Sequence, residues 1–66
     1  MTVTVNGTPW ELPDDTVVTD VLQRLGAPSV GVAVALDGAV LPRGSWPTAV
    51  LRDGATVEVL TAVQGG

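Results

Sequence analysis

The sequence predicts a small α+β domain in which a mixed sheet of four to five strands packs on one main helix. The chain has 66 residues, about half of the usual domain length of roughly 100–150 residues, so it forms a single domain. Asn-Gly and Asp-Gly pairs, which favour hairpin turns, separate several short segments of alternating polarity. Only one segment carries apolar residues at helical spacing.

The first two strands form a hairpin. Thr2–Val5 alternates polar and apolar residues, as a strand with one buried face does. Asn6-Gly7 tolerates the positive φ angles of a type I′ turn, and residues 8–12 return as the second strand. Pro9 has no N–H to donate to a neighbouring strand, so we expect this second strand at an edge of the sheet.

The helix is predicted from Val17 to Leu25. Thr16 is its expected N-cap, because a hydroxyl can accept a hydrogen bond from a free N–H of the first turn. Gly26 is expected to end the helix in the left-handed conformation, and Pro28 prevents its continuation. The apolar residues at the i, i+3, i+4 and i+7 positions form the stripe that should face the sheet: Val18, Val21, Leu22 and Leu25.

A second hairpin follows the helix. Residues 30–36 are predicted as a strand, Asp37-Gly38 as its turn, and residues 39–41 as a short returning strand. The next residues, 43–47, form a connector in which Ser45 caps a single turn and Trp46 closes one end of the core.

The last and longest strand is predicted from Thr56 to Val63, after a turn at Asp53-Gly54, with Val57 and Val59 facing inward. One helix and one sheet make a two-layer domain. If the helix crosses over to the third strand and the last strand lies beside the first, parallel to it, the arrangement is the β-grasp.

The composition excludes several kinds of chemistry. The chain contains no Cys, His or Lys, which removes the usual nucleophiles, general bases and zinc ligands. The formal net charge of −4 predicts no nucleic-acid binding, which needs phosphate neutralisation. Asp14-Asp15 is expected to be a solvated turn, and no metal site is predicted. No apolar segment is long enough for a membrane span, so a cytoplasmic protein is expected.

The terminal Gly65-Gly66 pair can be interpreted in two ways. Glycine has no Cβ and allows close backbone approach, so such an end can enter a narrow active-site tunnel of another protein and present its carboxylate. Alternatively, the pair is a frayed end or a remnant of cloning. We predict a β-grasp domain at residues 1–63 and a flexible tail at residues 64–66.

Several segments together resemble the ThiS family of ubiquitin-like sulfur carriers of thiamine biosynthesis. The similarity spans the whole chain and is most specific in four segments: residues 32–38 (VAVALDG), 40–43 (VLPR) with Trp46, 51–59 (LRDGATVEV) and 62–66 (AVQGG).

The resemblance implies that the reacting group is the Gly66 carboxylate, at the end of a tail formed with Gln64 and Gly65. A ThiF-type, E1-like adenylyltransferase would activate it with Mg-ATP, and a cysteine desulfurase and persulfide relay would supply sulfur. A ThiG-type thiazole synthase would accept the sulfur from the resulting thiocarboxylate. The chain itself would bind no cofactor and would not be an enzyme.

The docking surface for these partners is expected on the sheet face away from the helix, next to the tail. Leu60 and Ala62 are its candidate apolar residues, although a bulge could instead turn Leu60 into the core. Arg43 and Glu58 are candidate rim charges, or merely solvated side chains.

Three other functions remain open at this stage. A β-grasp protein that ends in Gly-Gly could donate sulfur to molybdopterin, as the small subunit of molybdopterin synthase. It could be a ubiquitin-like protein modifier, or a binding domain with an inert tail.

Overall fold

The computed structural model describes residues 1–62. The elements, in chain order, are β1 (Thr2–Val5), β2 (Thr8–Glu11), α1 (Val18–Leu25), β3 (Val32–Leu36), β4 (Ala39–Leu41), a 3₁₀ helix (Arg43–Thr48) and β5 (Thr56–Thr61).

The five strands form one mixed sheet in the order β2-β1-β5-β3-β4. The last strand, β5, lies at the centre, parallel to β1 and antiparallel to β3. The strand that contains Pro9 lies at an edge, as the sequence predicts. This strand order, with α1 between the two hairpins, confirms the predicted β-grasp.

The two hairpin turns owe their shape to residues that tolerate positive φ. Asn6 and Gly7 have φ angles of 49° and 82°, and Asp37 and Gly38 have φ angles of 50° and 84°. Two consecutive positive values define the type I′ turn, whose twist matches that of the strands it joins. Both predicted hairpins are therefore confirmed.

The core lies between α1 and the inner face of the sheet. Its buried residues come from the sheet, the helix and the loops: Val3, Val5, Leu12, Val18, Val21, Leu22, Val34, Trp46, Leu51, Ala55, Val57 and Val59. Trp46 is buried at one end of this cluster, and its indole Nε1–H donates to the Leu41 carbonyl over 2.9 Å. Trp10 is half-buried against the cluster.

The start of α1 differs from the prediction. The N-cap is Val17, and Thr16 instead donates its hydroxyl to the Pro13 carbonyl over 2.7 Å. The Thr16 carbonyl accepts the Leu51 N–H over 2.8 Å, and Val17 forms a bridge with Val50. This pairing with a distant segment keeps Val17 extended, so α1 begins at Val18. The Asp20 carboxylate accepts the N–H of Val17 over 3.2 Å.

The end of α1 agrees with the prediction. Gly26 has a φ of 70°, and its N–H donates to the Gln23 carbonyl over 3.1 Å. The Ala27 N–H donates to the Leu22 carbonyl over 3.1 Å. These two bonds form a Schellman motif. Leu25, the last residue of the predicted stripe, is 38% exposed and contributes little to the core.

Strand β3 begins two residues later than predicted. Gly31 has a φ of 73°, outside the strand region, and Val30 before it is 73% exposed. The connector after β4 is a 3₁₀ helix whose N-cap is Pro42, so Ser45 does not cap it with its side chain. Within residues 1–62, no helix is long and apolar enough to cross a membrane.

Candidate docking face of the sheet

The central strand β5 presents different residues to its two faces. Val57 and Val59 are buried against the core, whereas Glu58 and Leu60 are exposed on the opposite, outer face. Leu60 is 68% exposed, so no bulge turns it into the core. An apolar side chain of this size in solvent is therefore available for contact with a partner.

The strand register gathers further apolar residues around Leu60. Ala33 lies directly opposite Leu60, and Ala35 lies opposite both Glu58 and Val40. Residues opposite each other in neighbouring strands share a face. Val40 is 82% exposed. We name Ala33, Ala35, Val40 and Leu60 the outer patch.

The charge of the outer face is acidic. Glu11 and Glu58 are the charged residues of the five strands. Glu11 lies opposite Thr2 and accepts the Thr2 hydroxyl over 2.6 Å, at the side of the sheet away from the outer patch. Glu58 stands within the patch region, opposite Ala35. A partner surface that covers the patch would meet one carboxylate among apolar side chains.

Ala62 follows β5 and lies at the end of the described chain. Its N–H donates to the Gly31 carbonyl over 2.7 Å, which continues the pairing of β3 with β5 by one position. A Cβ added to Gly31 would lie 3.3 Å from the Ala62 Cβ. The two residues are therefore in close contact, and Ala62 is held against the sheet at the point where the chain continues to Val63.

Arg43 lies in the 3₁₀ helix that follows β4, not in a strand of the sheet. It is the first residue of the 3₁₀ helix, which packs against α1. Its guanidinium lies 5.0 Å from the centre of the Trp46 ring, within the range of a cation–π interaction. The structure thus brings Leu60 and Glu58 together on the outer face, with Ala62 at the end of β5, and holds Arg43 on a core tryptophan. Their docking roles stay predictions.

The predicted tail residues Gln64, Gly65 and Gly66, with Val63, lie outside the described residues. The predicted boundary between a domain at 1–63 and a tail at 64–66 therefore stays a prediction.

The outer patch is an open face rather than a cleft. A concavity of about 200 Å³ lies between α1 and the loop before it, lined by Leu12, Pro13, Thr16, Asp20 and Arg24. A more open one of about 410 Å³ is lined by Met1, Asp14, Asp15, Val50, Leu51, Arg52 and Asp53. Neither includes a patch residue. Among residues 1–62, no group of three or more His, Cys, Asp or Glu side chains is arranged to hold a metal ion.

The sequence pattern identifies Leu60 as a residue of the docking surface but does not identify Val40. The alternation of residues 30–36 had already placed Ala33 and Ala35 on the face opposite to Val32 and Val34. The Asp37-Gly38 turn fixes the register of the second hairpin, and that register places Val40 beside Ala35. The turn type therefore indicates that Val40 lies beside Ala35, but the pairing of β3 with β5 is also needed to place both near Leu60.

The fold and the exposed sheet face define a small ubiquitin-like protein of the β-grasp class. The model of the ThiS family matches residues 3–66, so the chain belongs to the ThiS family. The chain is also similar to the crystal structure of a thiamine biosynthesis protein (ThiS) from Geobacter metallireducens. The two share 35% sequence identity with a TM-score of 0.81, and the match covers 100% of both chains.

An NMR solution structure of a thiamine biosynthesis protein from the same organism also matches, again with 35% identity and a TM-score of 0.81. It covers 100% of this chain and 88% of the other. No curated protein matches the chain. The family membership and these two structures support a role as a thiamine-biosynthesis sulfur carrier, a small carrier protein rather than an enzyme.

Proposed function

We propose that the Gly66 carboxylate of this protein is adenylylated and then converted to a thiocarboxylate, which donates sulfur for thiazole formation in thiamine biosynthesis. The observation that carries the proposal is the match to the ThiS family, which extends through the terminal Gly65-Gly66 pair. The chemistry belongs to the cytoplasm, where Mg-ATP and the partner enzymes are available.

The acyl carbon of a carboxylate is a poor electrophile, so the Gly66 carboxylate must first be activated. A carboxylate oxygen of Gly66 attacks the α-phosphate of Mg-ATP on a ThiF-type adenylyltransferase, and pyrophosphate leaves. A persulfide sulfur, loaded by a cysteine desulfurase, then attacks the acyl carbon and displaces AMP. A thiol of the relay cleaves the resulting sulfur–sulfur bond, which releases the thiocarboxylate and leaves a disulfide on the relay. A ThiG-type thiazole synthase transfers the sulfur to its substrate, and an oxygen from that substrate or from water replaces the sulfur on the acyl carbon, so that Gly66 returns to a carboxylate.

This chain supplies the reacting atoms and a surface by which partners hold it. Activation and transfer require a bound nucleotide, a thiol and proton-transfer groups, and we assign all of these to the partners. The chain holds no Cys, His or Lys of its own. Its contribution to catalysis is therefore to bring Gly66 to each partner's active site in the right position.

The outer patch is the proposed docking surface. Leu60 and Val40 are exposed large apolar residues on the sheet face opposite the core, and Glu58 adds one negative charge among them. A partner with an apolar surface and a neighbouring Arg or Lys would complement this arrangement. Ala62, held by Gly31, connects this surface to the tail.

The length of the tail limits where a partner's active site can lie. Four residues follow Ala62, and an extended chain spans at most about 3.3–3.6 Å per residue. The Gly66 carboxylate can therefore reach at most about 14 Å from Ala62. A partner that binds the outer patch must place its nucleotide within this distance.

Intact mass measurement tests the proposal. The protein is incubated with its adenylyltransferase, Mg-ATP and a loaded persulfide source, with a reaction without ATP as the control. We expect the replacement of one oxygen by sulfur, and no change in a variant that lacks Gly66. Attachment of this chain to lysines of other proteins would indicate a modifier instead, and an unchanged mass with an active enzyme would contradict the proposal.

A genetic test separates the two sulfur-carrier functions. Loss of the protein should cause a requirement for thiamine while molybdoenzyme activity is retained. The opposite result would assign the protein to molybdopterin synthesis.

A further inference from the structure

Two turn residues bond to the backbone of β5 through their side chains, one at its first residue and one at its fourth. The Asp37 Oδ1 accepts the Thr56 N–H over 2.9 Å, at the start of β5. The Asn6 Oδ1 accepts the Val59 N–H over 2.7 Å, and the Asn6 Nδ2 donates to the Val59 carbonyl over 3.3 Å. Asp37 also bonds through its backbone, since its N–H donates to the Thr56 carbonyl over 2.8 Å, whereas at Val59 the Asn6 side chain replaces the backbone of β1.

The Asn6 contact at Val59 lies in the second half of β5, two residues before the strand ends at Thr61. The backbone pairing of β1 with β5 ends where the Asn6 N–H donates to the Val57 carbonyl over 2.9 Å. Past that point, the Asn6 carboxamide takes the place of a further β1 residue beside Val59. On the opposite side of β5, Gly31 holds Ala62. On its β1 side β5 is thus held as far as Val59 by Asn6, and on its β3 side the pairing continues to Ala62.

We propose that Asn6 is a positioning residue for the transfer chemistry at Gly66. By bonding to both backbone groups of Val59, Asn6 fixes the direction in which β5 and the following residues leave the sheet. The proposal rests on the proposed function, because it requires that Gly66 reacts in a partner's active site.

Geometry explains why a contact so far from Gly66 matters. A change in the direction in which β5 leaves the sheet moves the point from which the tail starts. A misplacement of about 1 Å in a reacting group can slow a reaction about 100-fold. The carboxamide therefore acts on the rate of the chemical step through the direction of the strand, without touching the reacting atoms.

Asn6→Gly tests this role without disturbing the turn. Glycine accepts the φ of 49° at this position, so the substitution removes the carboxamide and keeps the type I′ turn. Asp37→Gly is the matched control. It stands at the same position of the other type I′ turn, with a φ of 50°, and removes a side-chain bond to the same strand at the end away from the tail.

The first measurement is amide hydrogen exchange, which requires no partner. In Asn6→Gly we expect the Val59 amide to exchange about tenfold faster, while the Thr56 amide is unchanged. In Asp37→Gly we expect the reverse. Wild-type protection of Val59 in Asn6→Gly would overturn the proposal, because the carboxamide would then not hold the strand.

The second measurement is the steady-state rate at which the adenylyltransferase activates each variant. For Asn6→Gly we expect kcat to fall at least tenfold and KM to change less than about twofold. For Asp37→Gly we expect both constants to stay at wild-type values. A merely structural role would affect both variants alike, so equal kcat values would overturn the proposal. Failure of the wild-type protein to react would instead contradict the proposed function and leave the exchange result in place.

Discussion

Replacement of Leu60 by alanine separates docking from folding. Burial of a leucine side chain in an interface contributes about 1.5–3 kcal/mol. Leu60 is 68% exposed in the free protein, so about two thirds of this contribution, roughly 1–2 kcal/mol, remains available on binding. We therefore expect Leu60→Ala to weaken binding to the adenylyltransferase about 5- to 30-fold. Because Leu60 lies outside the core, the free energy of unfolding should change by less than about 0.5 kcal/mol.

Titration calorimetry with the adenylyltransferase measures the first effect, and urea denaturation measures the second. Val50→Ala is the matched control, since Val50 is 51% exposed but pairs with Val17 at the start of α1, away from the outer patch. It should bind with wild-type affinity. Wild-type affinity for Leu60→Ala would refute the docking assignment, and a loss of more than about 2 kcal/mol in stability would show that Leu60 supports the core.

Three further predictions test the tail, the core and the helix end. Deletion of Gly66 should abolish thiocarboxylate formation, measured by mass, and leave the thermal unfolding curve nearly unchanged, because a terminal residue contributes few contacts; a large drop in Tm would contradict this. Trp46→Phe should reduce the free energy of unfolding by about 1–3 kcal/mol in urea denaturation, since the Leu41 carbonyl loses its buried donor; an unchanged midpoint would show that this bond is dispensable. Gly26→Ala should lower the free energy of unfolding by about 1–2 kcal/mol and lower the Tm, because a φ of 70° strains an alanine. The added Cβ itself would meet no atom within 4 Å. Gly44→Ala, equally open but without a positive φ, is its control and should melt close to the wild type.

Local signals in the sequence were sufficient for most of the fold. Asn6-Gly7 and Asp37-Gly38 specify type I′ turns through their tolerance of positive φ, and each turn fixes the register of its hairpin. Pro9 placed β2 at an edge. These features depend on covalent geometry and on neighbours along the chain, so they can be predicted from a single sequence.

Features that depend on distant contacts were not predictable in the same way. Thr16 carries a good N-cap side chain, but the pairing of residues 16 and 17 with residues 50 and 51 delays the helix by one residue. Asn6 was predicted as a turn residue only, because nothing local indicates that its carboxamide bonds to Val59, 53 positions later. Tertiary context decided both cases.

The candidate site was predictable in part. The alternation of β5 identified Leu60 as outward-facing. The position of Val40 in the same patch could be found only from the register of β5 with β3 and of β3 with β4. The sequence did not indicate that the Arg43 guanidinium lies over Trp46, and its role as a rim charge stays a prediction. A long, flexible side chain has many neighbours within reach, and the sequence does not choose among them.

Isotope transfer tests the central claim, that the carboxylate of Gly66 is the reacting group, most directly. The protein is prepared with its C-terminal carboxylate labelled with ¹⁸O, incubated with the adenylyltransferase, Mg-ATP and the persulfide source, and the released AMP is examined by mass spectrometry. Because a carboxylate oxygen attacks the α-phosphate and leaves with it, the account predicts one ¹⁸O atom in AMP for each sulfur gained by the protein. Unlabelled AMP formed together with a sulfur-bearing protein would contradict it.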